Sequence, residues 1–117
     1  MTESLMLKKS KSFALRIVRL YKSLRERKES VIAKQMLRAG TLIGANIAES
    51  RYAQSKADFA SKLQIALKEA SETEYWLELL RDADLIEPGP AFDSICDDCT
   101  ELLKMLTASV KTSKADS

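Results

Sequence analysis

The sequence has no histidine, the residue on which many catalytic and metal sites depend. Without it, the Ser–His and Cys–His pairs that activate nucleophiles cannot form. A di-metal bundle is disfavoured for the same reason, since that architecture normally uses Glu-x-x-His motifs on its helices. We therefore expect a protein that is not an enzyme, with no catalytic residues, no metal and no cofactor.

Glycine and proline are also scarce, with three and two occurrences in 117 residues. A strand-rich fold would need many turns, so this scarcity favours helices. No stretch approaches the ~20 apolar residues that are needed to span a bilayer. No long apolar run follows the N-terminal lysines as it would in a signal peptide, so we expect a cytoplasmic protein.

The only two cysteines, Cys96 and Cys99, form a C-x-x-C motif. A redox dithiol of this kind usually follows a strand in a βαβ unit, and a zinc site would need further Cys or His ligands. Three residues apart on a helix, both thiols lie on one face. Because free cysteines are commonly buried, we interpret the pair as small core residues.

Four amphipathic segments follow one another, at about residues 4–28, 30–50, 55–84 and 91–110. In each segment apolar residues recur at spacings of three and four, which is typical of a helix with one buried face. The core predicted from this periodicity consists of Phe13, Ile17, Leu20, Tyr21, Leu24, Ile32, Met36, Ala39, Ile43, Ile47, Phe59, Leu63, Ala66, Ala70, Leu77, Leu80, Phe92, Ile95, Cys96, Cys99, Leu102, Leu103, Leu106 and Val110.

Short polar connections separate these segments, and Ser30 and Ser55 are predicted N-caps of the second and third helices. Four helices with three short connections predict an all-α fold, an antiparallel up-down-up-down four-helix bundle. We expect a single domain over residues 1–117, with frayed ends at about 1–4 and 111–117.

Three residues within the helical pattern need a structural reason. Gly40 and Gly44 each cost about 1 kcal/mol relative to alanine inside a helix, so we expect them to allow a close helix–helix approach. Glu74 falls within the core seam of the third helix, where an unpaired carboxylate would be costly. We expect it to make a structural polar contact, with a functional site as the alternative.

Charge is unevenly distributed along the chain. Residues 1–60 contain 13 Lys/Arg against 5 Asp/Glu, whereas residues 61–117 contain 6 against 12. A basic half can attract nucleic acid, or the opposite charges can meet within one chain or between subunits. The candidate nucleic-acid contacts are Lys8, Lys9, Lys11, Arg16, Arg19, Lys22, Arg25, Arg27 and Lys28.

The second and third helices each carry a further stripe beside the core face, and the stripe of the third helix includes the only tryptophan. Trp and Arg are typical anchors of protein interfaces. We therefore predict a homo-oligomer; the alternative is a wide core face with Trp76 at its edge. The predicted interface residues are Arg38, Leu42, Asn46, Glu49, Ile65, Glu69, Glu72, Trp76 and Leu79.

Four motifs resemble a known bacterial family. They are LIGANIAE at residues 42–49, SKADF at 55–59, LQIALKEA at 63–70 and ETEYWLELL at 72–80. Over about residues 36–86 the chain is similar to the four-helix-bundle proteins encoded by intervening sequences of 23S rRNA genes, also named S23-type ribosomal proteins. The resemblance implies an antiparallel bundle, ring-like homo-oligomers with pentamers expected first, and an association with rRNA loci of unclear molecular meaning.

The leading hypothesis is a homo-oligomeric bundle that binds RNA or a nucleoprotein through its basic half. The alternative is a protein–protein interaction scaffold with no nucleic-acid role. No membrane and no small-molecule substrate are expected. One departure from the family pattern is Ser50, which stands where a glycine is common, so the second helix is expected to end without a left-handed cap.

Overall fold

A computed structural model describes the backbone of residues 2–115 and the side chains of residues 5–115, and within them lie four helices. They are α1 (Thr2–Glu26), α2 (Val31–Ser50), α3 (Lys56–Asp82) and α4 (Pro90–Ala115). Each helix packs against its neighbours in the chain, and α4 returns to pack against α1. The predicted antiparallel four-helix bundle is therefore confirmed. No helix of residues 2–115 is long and apolar enough to cross a membrane.

The core follows the predicted periodicity closely. Most of the predicted core residues are buried, and seven of them are only partly buried and pack around the rest: Leu20, Tyr21, Ile32, Phe59, Ile95, Cys96 and Leu103. Met6 and Ala33 are core residues that the pattern did not identify. Met6 lies two turns before Phe13, where the recognised stripe of α1 begins. Ala33 lies beside Ile32, which was assigned to the stripe of α2 in its place. Ile86, in the connection between α3 and α4, also closes the core.

The two helical glycines lie where α1 and α2 come closest. A Cβ atom on Gly40 would lie 2.9 Å from Cγ2 of Ile17, and one on Gly44 would lie 3.1 Å from Oγ of Ser10. Ser10 is fully buried, and its hydroxyl donates to the carbonyl of Leu7 at 2.8 Å. The predicted close approach is thus confirmed, with α1 as the neighbouring helix.

Two helices end earlier than predicted because a residue other than glycine adopts a left-handed conformation. Lys28 has φ 67° after α1, and Asp84 has φ 58° after α3. The amide of the following residue bonds back to the last turn in each case: Glu29 donates to the Leu24 carbonyl at 2.9 Å. Such a Schellman ending is usually built with glycine, so the sequence did not show that either helix would end two residues before its predicted end.

The two predicted N-caps have different outcomes. The Oγ of Ser55 accepts a hydrogen bond from the Asp58 amide at 3.0 Å, and the Asp58 carboxylate accepts one from the Gln54 amide at 3.1 Å. The predicted N-cap at Ser55 is therefore confirmed. Ser30 makes no side-chain cap bond, and that prediction was wrong. The carboxylate of Glu29 takes its place by accepting the amide of Ile32 at 2.9 Å.

The ends of α2 and α4 also bear on the expectations. Arg51 follows α2 in a right-handed conformation, with φ −65° and ψ −19°, as the serine at position 50 led us to expect. The last helix begins at Pro90, a residue well suited to the first helical position. It continues to Ala115 rather than ending at Val110, because no glycine or proline follows Val110 to stop it.

Candidate nucleic-acid and assembly surfaces

The outer face of α1 carries a stripe of exposed cations. Lys8, Lys11, Arg19 and Lys22 recur at intervals that return to the same side of a helix, and all four are exposed. None of the four has an ion pair within the described part of the chain. Arg25, Arg27 and Lys28 extend the positive charge to the end of the helix and are also exposed.

Two of the nine predicted contacts face another helix instead. Lys9 Nζ lies 2.9 Å from Glu101 Oε1, and Arg16 Nη1 lies 2.7 Å from Asp98 Oδ2. Arg16 also donates to the hydroxyl of Ser94 at 3.0 Å. Some positive charges of α1 are therefore neutralised by negative charges of α4 within the same chain. Lys9 and Arg16 are not free to contact phosphate.

The cationic stripe is interrupted by apolar side chains. Leu15 and Val18 are 48% and 38% exposed, and both lie among the cations of the outer face of α1. Leu5, near the start of the same helix, is 49% exposed. This face is therefore not a purely polar, solvated surface, and it offers apolar contact as well as charge.

A second surface runs along the outside of the seam between α2 and α3, where Arg38 is the central residue. Its guanidinium forms an ion pair and hydrogen bond with Glu72, and its Nη1 lies 3.5 Å from Glu69 Oε1. Further along the seam Lys62 Nζ lies 3.5 Å from Glu49 Oε1. The opposite charges of α2 and α3 therefore pair within one chain.

Trp76 lies on this surface and is partly buried by its own chain. The indole Nε1 donates to Glu72 Oε2 at 3.1 Å, and the ring meets Tyr75 edge to face with centroids 5.2 Å apart. Ile65 is 39% exposed, while Leu42 and Leu79 are half-buried. The surface thus combines an anchored aromatic ring, aliphatic side chains and a charge cluster that is already paired.

Two predicted interface residues are buried in the single chain. Asn46 is 7% exposed, and its Nδ2 donates to the Leu42 carbonyl at 2.9 Å within α2. Glu69 is also 7% exposed, and its Oε1 has the charge contact to Arg38 but no hydrogen bond. Neither side chain belongs to the outer surface, because both positions lie on the core side of the stripe.

The buried carboxylate of α3 is Glu69, not Glu74. The seam of this helix passes through Thr73, which is fully buried and donates its hydroxyl to the Glu69 carbonyl at 2.7 Å. Glu74 lies one residue away and is half-buried beside a small cavity of about 140 Å³ that is also lined by Cys96 and Cys99. The expected burial of Glu74 in the seam was therefore wrong by one position.

The two cysteine thiols have low reactivity, because the pKa of each is raised. Burial raises the pKa of the Cys99 thiol to about 12, and the nearby Glu74 carboxylate adds to the effect. The same thiol donates to the Ala70 carbonyl, with 3.5 Å between sulfur and oxygen. Burial also raises the pKa of Cys96. Among the described side chains of residues 5–115, no group of three or more His, Cys, Asp or Glu is placed to hold a metal ion.

The connection between α2 and α3 carries features that the sequence analysis passed over. Tyr52 is 79% exposed, and the guanidinium carbon of Arg51 lies 5.5 Å from the centre of its ring. An exposed aromatic beside an arginine in a short loop is a signal for ligand contact. The predicted nucleic-acid contacts all lie between Lys8 and Lys28, so this pair was not among them.

Comparison with known proteins places the bundle in a family. The family model of the 23S rRNA-intervening sequence protein matches residues 2–108. The chain belongs to this family. A solved structure of a protein of unknown function, from the S23 ribosomal protein family of Bacteroides thetaiotaomicron VPI-5482, is 54% identical to this chain. The match covers 95% of this chain and 99% of that one, with a TM-score of 0.90.

These matches confirm the resemblance carried by the four motifs in the centre of the chain, and they extend it to nearly the full length of the bundle. No curated protein matches the chain. The family match and the solved neighbour thus agree on the fold, and neither assigns a function.

Proposed function

We propose that this chain is a non-catalytic, cytoplasmic bundle that assembles with copies of itself and binds RNA through the outer face of α1. The observation that carries the proposal is the stripe of Lys8, Lys11, Arg19 and Lys22, four exposed cations with no carboxylate partner in the described chain. Unpaired cations in one row suit the regularly spaced phosphates of a nucleic-acid backbone.

RNA is the favoured nucleic acid because of the family to which the chain belongs. The family is named after the intervening sequences of 23S rRNA, and this name associates its proteins with RNA-coding loci. Cations that contact phosphate supply affinity and register but no base readout. We therefore expect weak sequence preference and strong dependence on salt for binding through α1.

Self-association is assigned to the outer surface of α2 and α3. Trp76, Ile65 and Leu79 keep part of their apolar surface exposed there, around the Arg38 cluster. Partly exposed aromatic and arginine side chains are common anchors of interfaces. A ring of five copies, as the family resemblance implies, would place several α1 faces on one assembly and raise RNA affinity by multivalency.

A binding role agrees with the chemistry of the side chains. The chain has no histidine to act as a general base, and both thiols have a raised pKa, so neither is a ready nucleophile. A protein scaffold without RNA binding is the second candidate. It is favoured by Leu15 and Val18, whose exposed apolar surface on α1 suits a protein partner better than a phosphate backbone.

The two candidates differ in what happens when charge is removed from α1. In the test variant Lys8, Lys11 and Lys22 are changed to Gln, and in the matched control Lys34, Lys68 and Lys104 are changed to Gln. All six lysines are exposed, and both variants lose the same net charge.

Filter binding of a structured RNA at low salt would be compared among the wild type and both variants. The proposal predicts tight binding by the wild type, at least tenfold weaker binding by the α1 variant and a smaller effect of the control. Equal affinities of the two variants, or no binding by the wild type, would reject RNA binding through α1 and leave the scaffold.

A further inference from the structure

A groove opens at the end of the bundle where α1 begins, α2 connects to α3 and α4 ends. Its volume is about 1080 Å³. The floor is apolar and is formed chiefly by Met6, Phe59, Leu63 and Met105. Met6 and Leu63 are core residues, so the groove reaches down to the bundle core rather than resting on its surface.

The walls of the groove are polar and its rim is cationic. Six of its fourteen lining residues carry a hydroxyl or an amide: Ser50, Gln54, Ser55, Ser109, Thr112 and Ser113. Arg51 and Lys56 are the charged lining residues, and both are exposed. Hydrogen-bonding walls above an apolar floor suit a flat heterocycle with polar edges. An acyl chain suits them less well, because it has no donors or acceptors to pair with the polar walls.

The described carboxylates within one helical turn of the lining residues are already engaged by other groups. Glu101 is paired with Lys9, and Glu49 with Lys62. The carboxylate of Asp58 accepts the amide of Gln54 in the connection before α3. An occupant with negative charge is therefore favoured by Arg51 and Lys56, and no described carboxylate lines the groove to oppose it.

An exposed aromatic ring belongs to the connection that lines one side of the groove. Tyr52 lies between two lining residues, Arg51 and Ala53, and is 79% exposed. The Arg51 guanidinium lies over one face of the ring, within the distance of a cation–π contact. The high exposure of Tyr52 leaves room for a further stacking partner on the ring. Single-stranded RNA is bound by such elements, through bases that stack on aromatic or guanidinium planes.

We infer that the groove end of the bundle binds single-stranded RNA, with one base stacked on Tyr52, a neighbouring base in the groove, and phosphates on Arg51 and Lys56. The inference rests on the proposed RNA binding and adds to it a site for unpaired bases. A base pair cannot use this site, because paired bases keep their faces stacked within the duplex. The protein would therefore contact single strands here and phosphates of any form along α1.

The test uses fluorescence anisotropy with a labelled oligouridylate of about 12 nucleotides, within the range that single-strand sites cover, and a blunt RNA duplex of similar length. Tyr52→Ala removes the stacking ring, and Ala108→Leu fills the groove from α4 without removing a core residue. Tyr75→Ala is the matched control, because Tyr75 is an exposed tyrosine on α3 and does not line the groove. Tyr75 contacts the Trp76 ring, so light scattering would first establish that this variant keeps the oligomeric state of the wild type.

Tyr52→Ala is expected to weaken oligouridylate binding roughly 5- to 150-fold, the effect of losing one stacked base. Tyr52→Trp should restore it, Ala108→Leu should weaken it, and Tyr75→Ala should leave it unchanged. Duplex binding should be the same in all variants. Circular dichroism would confirm that each variant keeps its helical content.

An unchanged oligouridylate affinity in Tyr52→Ala or in Ala108→Leu overturns the inference, and so does an equal loss in Tyr75→Ala. If the duplex still binds through Lys8, Lys11 and Lys22 in that case, the proposed function survives and only the groove site fails. If neither RNA binds the wild type at low salt, both proposals fail together.

Discussion

At the scale of single residues, two absent Cβ atoms set how closely α1 and α2 can pack. The neighbour of Gly40 is Ile17, which is fully buried, and its β-branched side chain has little freedom to move. The neighbour of Gly44 is Ser10, whose hydroxyl lies slightly farther from the position of the missing Cβ. The two glycines therefore differ in how much they matter, although the sequence presents them alike.

This difference predicts that alanine substitutions at Gly40 and Gly44 change the free energy of unfolding differently. Gly40→Ala gains about 1 kcal/mol of helix propensity but overpacks against Ile17, which typically costs about 1–3 kcal/mol. We expect its free energy of unfolding to fall by about 1 kcal/mol, and that of Gly44→Ala to stay near or above the wild-type value. Urea unfolding measures both, and a Gly40→Ala variant more stable than Gly44→Ala would contradict the packing described here.

The buried thiol gives a second prediction at this scale. Because the pKa of Cys99 is raised to about 12, only about one molecule in 1,000 carries its thiolate at pH 9, where half of the ordinary thiols would be ionised. Iodoacetamide at pH 9 should therefore leave Cys99 unmodified in the native protein and modify it after unfolding. Peptide mass spectrometry reads the site, and rapid native labelling at Cys99 would show that the thiol is not buried as described.

At the scale of helices, the periodicity of apolar residues predicted the number, order and buried faces of the four elements. It placed the end of α2 at residue 50, as observed, but it did not predict the ends of the other three helices. Lys28 and Asp84 adopt left-handed conformations that sequence usually assigns to glycine, and α4 continues past Val110 because nothing there stops it. Helix ends depend on single hydrogen bonds and backbone angles, which a pattern of apolar residues does not encode.

The two predicted N-caps test whether single hydrogen bonds stabilise the helix ends. Ser55 accepts a capping hydrogen bond from the Asp58 amide, whereas Ser30 accepts none because the carboxylate of Glu29 serves α2 instead. Ser55→Ala should lower the free energy of unfolding by about 1 kcal/mol, and Ser30→Ala should change it by much less. Thermal or urea unfolding compares the two, and equal losses would show that Ser30 caps α2 after all.

At the scale of the whole molecule, the uneven charge has two uses. Ion pairs from Lys9 and Arg16 to α4 hold opposite charges together inside the chain, while the outer cations of α1 remain unpaired. Sequence predicted the basic half but not this division, because it depends on which cations face α4. The groove beside Tyr52 was not predicted either, since the ends of four helices and the connection between α2 and α3 meet there only in the folded chain.

Self-association is tested by placing a charge on the α2 and α3 surface. Trp76→Glu should dissociate the oligomer and keep the helical content, because the indole is only partly buried in its own chain. Leu15→Glu, which adds the same charge on α1, is the control and should stay assembled. Light scattering with circular dichroism distinguishes the outcomes. A wild-type monomer at micromolar concentration would reject the interface, and an unfolded Trp76→Glu would place Trp76 in the core.

RNA binding through α1 is the central claim, and the salt dependence of the binding constant tests it most directly. Each phosphate contact contributes about 0.7–0.9 to the slope of log K against log salt concentration. The variant lacking Lys8, Lys11 and Lys22 should therefore show a slope that is shallower by about 2–3 than the wild type. A wild type that binds no RNA at low salt, or a slope that these three substitutions leave unchanged, would contradict the account.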